Sequence, residues 1–257
     1  MIQEEMISKV RDLAMNDNRV SAVLMYGSFI KGEGDRFSDI EFYIFTYSDF
    51  NKTEWVEKIA PLALFFKNEY GTDVAVFENL IRGEFHFSDI TGINVILSWQ
   101  GYTSFRYRNK MILVDKENKL QHVLDSIIII EPDYNEVEYA ETAVQMLINY
   151  LIFSKNLILR GETAHAHQLF FSIQKALLWL IRLHTGCTQH WESPTKKLEE
   201  DIPQEWYEKY TTCVPGLNLS ELSKSHENIV TLSNELFNSL NIENKYKQIL
   251  NRIKSME

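Results

Sequence analysis

Two cysteines, Cys187 and Cys213, are all that 257 residues contain, too few for the disulfide framework of a small secreted scaffold. A reducing, cytoplasmic setting fits this usage, and the start Met1-Ile2-Gln3-Glu4-Glu5-Met6 lacks the basic-then-apolar build of an export signal. Cationic residues are outnumbered: 26 Lys and Arg face 36 Asp and Glu, a formal charge of −10. Enzymes that extend or cap nucleic acids need a basic surface to offset phosphate repulsion, so no nucleic-acid partner is expected. Long apolar runs are missing as well. Ile127–Ile130 is too short, and Met146–Phe153 too interrupted by polar residues, to span a bilayer, and no membrane role is expected. Gly32 and Gly34 begin like G-x-G, but no third glycine and no glycine-lysine pair follows, which excludes Rossmann and P-loop readings. The seven histidines form no metal pattern, since His165 and His167, two apart, would leave a helix on different faces.

What is present is concentrated in residues 26–41. Gly27-Ser28 forms a turn, and Asp39-Ile40-Glu41 follows ten residues later. The flanking runs Val20–Tyr26 and Ile40–Phe45 are rich in β-branched and aromatic residues and read as strands. Side chains alternate along a strand, so Asp39 and Glu41 share one face while Ile40, Phe42 and Ile44 share the other. Two adjacent carboxylates repel unless a cation joins them. Magnesium suits the position, because it binds through one or two carboxylates plus substrate phosphates and water. Gly27 permits close backbone approach, and Ser28 with exposed N–H groups can receive phosphate oxygens. The motif therefore suits a magnesium-bound nucleoside triphosphate. Taken singly, each part has a plainer reading, a strand-end turn or a solvated acidic strand face.

The spacing of Gly-Ser and Asp-x-Glu resembles the signature of the DNA polymerase β-like nucleotidyltransferase superfamily. Met25–Phe29, Lys31–Asp35, Ser38–Phe45, Asn68–Thr72 and Asn79–Phe87 look most like lincosamide nucleotidyltransferases of the LinB type. The likeness is strong over roughly the first ninety residues and thinner through Ile173-Gln174-Lys175 and Leu180-Ile181-Arg182. It implies that a substrate hydroxyl attacks the α-phosphorus of ATP, with Asp39 and Glu41 as magnesium ligands. It also implies a carboxylate base, for which Glu84 in Arg82-Gly83-Glu84-Phe85 matches the family's acidic position. From the residues alone Asp73, at the start of Asp73–Phe77, competes for that role. Lys31 and Arg36 stay outside the catalytic set as ordinary loop charges.

The rest of the chain supplies context. The resemblance and the patterning imply an α+β fold: a polymerase β-like domain with a mixed sheet over residues 1–131, then a helical bundle over 132–257. Helices are expected over about 3–15 and from Lys52 to Tyr70, capped by Gly71, with strands at Asp73–Phe77, Asn94–Leu97 and Lys110–Asp115. From Pro132 the period becomes helical. Asp133 and Glu136 suit a capping box, one helix should end near Gly161, another should run from Thr163 to Thr185, and Ser193-Pro194 should start a third. The last helical pattern, from about Ser220, has a break near Asn241. Lys175 and Arg182, seven apart, share a helical face that can reach phosphate or simply line solvent, and Lys175 is the better nucleotide-binding candidate. Trp99, Tyr102, Phe105 and Tyr107 can stack on a sugar or pack internally. An acidic chain attracts cationic small molecules, which fits an antibiotic acceptor. A lincosamide is expected first, an aminoglycoside second, and a protein acceptor of toxin–antitoxin type is the reading from another class. Apolar helical faces permit a homodimer, as in many relatives.

Overall fold

Short alternating segments build a six-stranded mixed sheet within residues Met1–Pro132, the first of two units into which the chain divides; the second is Asp133–Glu257. The computed structural model describes residues 1–134 and 137–256. In chain order the first unit runs α1 (Ile2–Asn16), β1 (Val20–Met25), α2 (Ser28–Lys31), β2 (Ile40–Thr46), α3 (Lys52–Glu57), β3 (Leu62–Lys67), β4 (Asp73–Phe77) and β5 (Arg82–Asp89). A 3₁₀ segment (Ile90–Trp99), α4 (Arg108–Met111), β6 (Ile112–Asp115) and α5 (Lys119–Asp125) complete it. The strand order is β3-β4-β5-β2-β1-β6. Only the central β2–β5 pair is parallel.

Both faces of this sheet are covered. On one, Ile40, Phe42, Ile44 and Phe85 pack with Met6, Val10 and Ala14 of α1 and with Trp55 and Val56 of α3. Met6, Val10 and Ala14 recur every four residues, one stripe of a helix, and burying each larger side chain contributes about 1.5–3 kcal/mol. On the other face Ala22, Leu24 and Phe45 pack with Ile93, Ile96, Phe105, Leu120 and Leu124. Glu41, which alternates with Ile40 and Phe42 along β2, shares this second face.

Three sequence expectations change here. The helix expected from Lys52 to Tyr70 stops at Glu57, and β3 takes its place. Pro61 has no N–H to donate and biases its predecessor away from helix. Gly71 is left-handed, at φ +79°, but in the β3–β4 hairpin, where Asn68 Oδ1 accepts from Tyr70 N at 3.0 Å and Thr72 N at 2.9 Å. Residues Asn94–Leu97 are 3₁₀ instead of strand: Asp89 caps the segment by accepting from Thr91 N at 2.8 Å, and a short apolar run has no period to reveal its type. Within Lys110–Asp115 only Ile112–Asp115 is strand.

The second unit is helical: α6 (Val137–Leu159), α7 (Thr163–Thr185), α8 (Leu198–Asp201), α9 (Gln204–Thr211), α10 (Leu219–Ser239) and α11 (Asn244–Lys254). Gly186 ends α7 in the left-handed conformation, its N–H reaching the Arg182 and Leu183 carbonyls. Asn241, at φ +53°, separates α10 from α11. Ser193-Pro194 lies in turns, and the short helix begins only at Leu198. Glu136, half of the expected capping box, lies outside the described residues. Helix α6 is long and apolar enough to cross a membrane by length and composition, contrary to the sequence reading of its middle. Its Val144, Leu147, Leu151 and Leu157 instead pack with Ile173, Leu177 and Leu236 in one core.

Candidate active site

Register brings the acidic residues together. In the parallel β2–β5 ladder Glu41 stands opposite Glu84 and Ile40 opposite Gly83. Paired residues in a ladder point to the same face, so the two glutamates emerge side by side, and Asp39 and Arg82 follow one step earlier on that face. Arg82 bridges the group, with Nη1 2.7 Å from Asp39 Oδ2 and Nη2 in a short contact with Glu84 Oε1. Tyr26 continues the alternation of Ala22 and Leu24 onto the same face, and its hydroxyl donates to Glu84 Oε2 at 3.5 Å.

The turn after β1 closes over this group. Gly27 sits at φ 80°, ψ −153°, a region essentially reserved for glycine. A β-carbon there would lie 1.5 Å from Glu41 Oε2, so glycine is needed both for the backbone and for the carboxylate beside it. Ser28 Oγ is buried without a hydrogen-bond partner. Buried hydroxyls normally find one, so the site holds an unused donor next to its acids.

Electrostatics mark Glu41 as the strained member. Burial pushes its carboxyl up to about 7, and the charges of Asp39 and Glu84 add to this, against the opposing pull of Arg82 and Lys31. Tyr26 is raised by burial and by Glu41, Glu84 and Asp39, which keeps it a proton donor in its bond to Glu84. His86 is lowered by burial and stacks on Tyr43 at 4.7 Å, so it is a neutral packing residue. Among the described residues no group of three or more His, Cys, Asp or Glu forms a ready-made metal cage. The oxygen donors do suit a magnesium ion that brings further ligands from phosphate and water, since a divalent charge would relieve the repulsion that raises Glu41.

The other sequence candidates have their own partners. Asp73 pairs in register with Phe85, hence on the opposite face from Glu84, and is held by Lys67 at 2.8 Å and Lys52 at 3.4 Å. Lys175 lies on α7 with Nζ 5.1 Å from the Trp179 ring centroid. Arg182 is fully buried and donates to the carbonyls of Pro194, Cys187 and Lys196 and to Asp201, all within 2.9 Å; it is a structural clamp and not a phosphate ligand. Phe105 is core, Tyr102 and Tyr107 are exposed, and Trp99 packs 5.3 Å from Tyr43. Sequence reasoning missed Arg82 and Tyr26 as partners of the acids. Arg82 and Glu84 sit two apart, the strand period, and recognising β5 would have put both beside Glu41.

Comparison with known proteins adds the following. Residues 136–256 match the family described as lincosamide nucleotidyltransferase-like, C-terminal domain. Among solved structures the chain is similar to an aminoglycoside 6-adenyltransferase from Bacillus subtilis, at 13% identity and a TM-score of 0.43, over 100% of this chain and 99% of that one. It is also similar to a nucleotidyltransferase-like protein from Exiguobacterium sibiricum 255-15, at 13% identity and a TM-score of 0.40, over 94% of this chain and 78% of that one. No curated protein gives a sequence match.

Proposed function

We propose that this chain is an antibiotic-type nucleotidyltransferase, a reading supported by the match over residues 136–256, and that it transfers AMP from magnesium-ATP to a hydroxyl of a lincosamide such as lincomycin or clindamycin and so inactivates it. The observation that carries this reading is the grouping of Asp39, Glu41 and Glu84 on one sheet face beside a glycine turn with an unpartnered serine hydroxyl. Magnesium, when bound, would offset the negative charge that develops at the α-phosphorus and on the leaving pyrophosphate during transfer of AMP.

Each residue then has a task. Asp39 and Glu41 would hold the cation. Gly27 leaves the backbone open to phosphate oxygens, and the Ser28 hydroxyl can donate to one of them. Glu84 accepts the proton of the acceptor hydroxyl as its oxygen bonds to the α-phosphorus. The α–β phosphoanhydride breaks, and pyrophosphate leaves with the bonding pair. Tyr26 holds Glu84 in place. The acidic chain favours an acceptor that carries an amine, and aminoglycosides share that feature. Activity inside the cell and a homodimer remain parts of the same proposal.

Mass spectrometry after incubation with magnesium-ATP and a panel of lincosamides and aminoglycosides tests it. Added AMP on lincomycin or clindamycin, with pyrophosphate release, is the expected result. Added AMP on an aminoglycoside alone keeps the chemistry and replaces the acceptor. No AMP on any member, with magnesium-ATP still bound, would move the search to a protein or metabolite.

A further inference from the structure

Among the described residues, Arg82 is the one cation with ion pairs to two of the three acids. Its guanidinium reaches Asp39 at 2.7 Å and also contacts Glu84, a forked bridge that a planar group with several donors can make and an ammonium cannot. Its side chain is 43% exposed, so solvent reaches it. It is paired with Asp39, one of the two carboxylates that suit a divalent cation, and with Glu84.

We propose that Arg82 is a displaceable counter-cation, which holds Asp39 and Glu84 together in the metal-free protein and must release Asp39 when a divalent cation binds. This rests on the reading of Asp39 and Glu41 as cation ligands. The argument is one of competing charges. Three acids at adjacent ladder positions repel one another, and Arg82 lowers that repulsion without leaving the chain. A divalent cation at Asp39 and Glu41 would face the guanidinium across a few ångströms, so both cannot hold Asp39 at full strength. A triphosphate offers the released Arg82 a new anionic partner, which makes metal and nucleotide assist each other's binding. Arg82 is thus a positioning residue.

Manganese, followed by paramagnetic resonance in the absence of nucleotide, is the probe, with the full chain as wild type, Arg82→Lys and Arg82→Gln, each checked for folding by thermal melting. Arg82→Lys keeps the charge and loses the fork, and should bind manganese about threefold more tightly than wild type; Arg82→Gln should bind it more tightly still. On the wild-type protein, manganese should speed modification of Arg82 by phenylglyoxal, read by peptide mass spectrometry, and this arm decides the matter if the variants fold poorly. Equal affinity for wild type and Arg82→Lys, or labelling unchanged by manganese, overturns the proposal and leaves the cation site standing. Absence of manganese binding in all three proteins, with and without ATP, overturns the cation site itself and the proposal with it.

Discussion

Glu41 carries the most consequential single atom group in the chain, because its environment works against its charge. The folded protein holds its proton up to about 7, against an ordinary value of 4.5. A raised carboxyl contributes stability that is whole below the ordinary value and is lost as pH climbs through the folded one. The wild-type melting temperature should therefore fall relative to Glu41→Gln between about pH 4.5 and 7. At pH 8 the variant should be more stable by about 1–3 kcal/mol, several degrees in Tm, as calorimetry at matched pH will read. The same variant should lose AMP transfer, as should Asp39→Asn, by about a hundredfold or more if each ligates the cation; near-normal turnover by Asp39→Asn on a folded chain would remove it from the site. Gly27→Ala should cost about 2 kcal/mol or more in denaturant unfolding, since the new methyl demands both a forbidden backbone and the space of Glu41 Oε2. At this scale the sequence was readable where strand alternation spoke. Asp39 and Glu41 lie two apart with apolar neighbours, so their shared face follows from the spacing. Ser28's missing partner and the Arg82 bridge do not, because they depend on which strand lies alongside β2.

Elements were legible in proportion to the length of their pattern. Helix α7 runs from Thr163 to Thr185, as its stop at Gly186 foretold, and β4 covers Asp73–Phe77. The stretch after Lys52 misled because Leu62–Phe66 has no polar alternation, so an apolar helix face and an edge strand look alike until Pro61 is weighed. Strand β5 escaped notice for a related reason: Arg82, Glu84 and His86 alternate with Gly83, Phe85 and Phe87, yet the charged face looks like a loop. The end of α7 shows how one residue type serves two purposes. Arg182 is tied to Asp201 and to three carbonyls, while His190 approaches the same carboxylate at 2.6 Å. Hydrogen bonds from His190 and Arg182 outweigh burial and hold the Asp201 carboxyl below its usual range. Arg182→Met should destabilise the chain by about 3 kcal/mol, because it leaves a buried carboxylate and carbonyls short of donors. Lys175→Ala, on the same helix, should change stability by less than about 0.5 kcal/mol. Urea titrations of the two variants separate a clamp from a surface contact.

For the whole molecule, the candidate chemistry and the family match lie in different halves. The acids, the glycine turn and the bridging arginine all lie before residue 90, whereas the family match covers residues 136–256, where residue-by-residue reasoning found the least. The reason is physical: a helical unit is specified by many interchangeable apolar positions, so its identity is spread thinly and no short motif reports it. The molecule's charge is likewise a distributed property, and it bears on the acceptor. A chain at −10 sets up a field that draws an ammonium-bearing acceptor and opposes magnesium-ATP, and added salt screens both effects. Raising sodium chloride from about 0.05 to about 0.5 M should therefore raise KM for a cationic lincosamide and lower or spare KM for magnesium-ATP, with kcat changing less than either. The opposed signs matter, since salt acting on stability or on the chemical step would move both constants the same way. Two flat profiles would mean that recognition rests on contacts at the site alone and that the net charge has no part in choosing the acceptor.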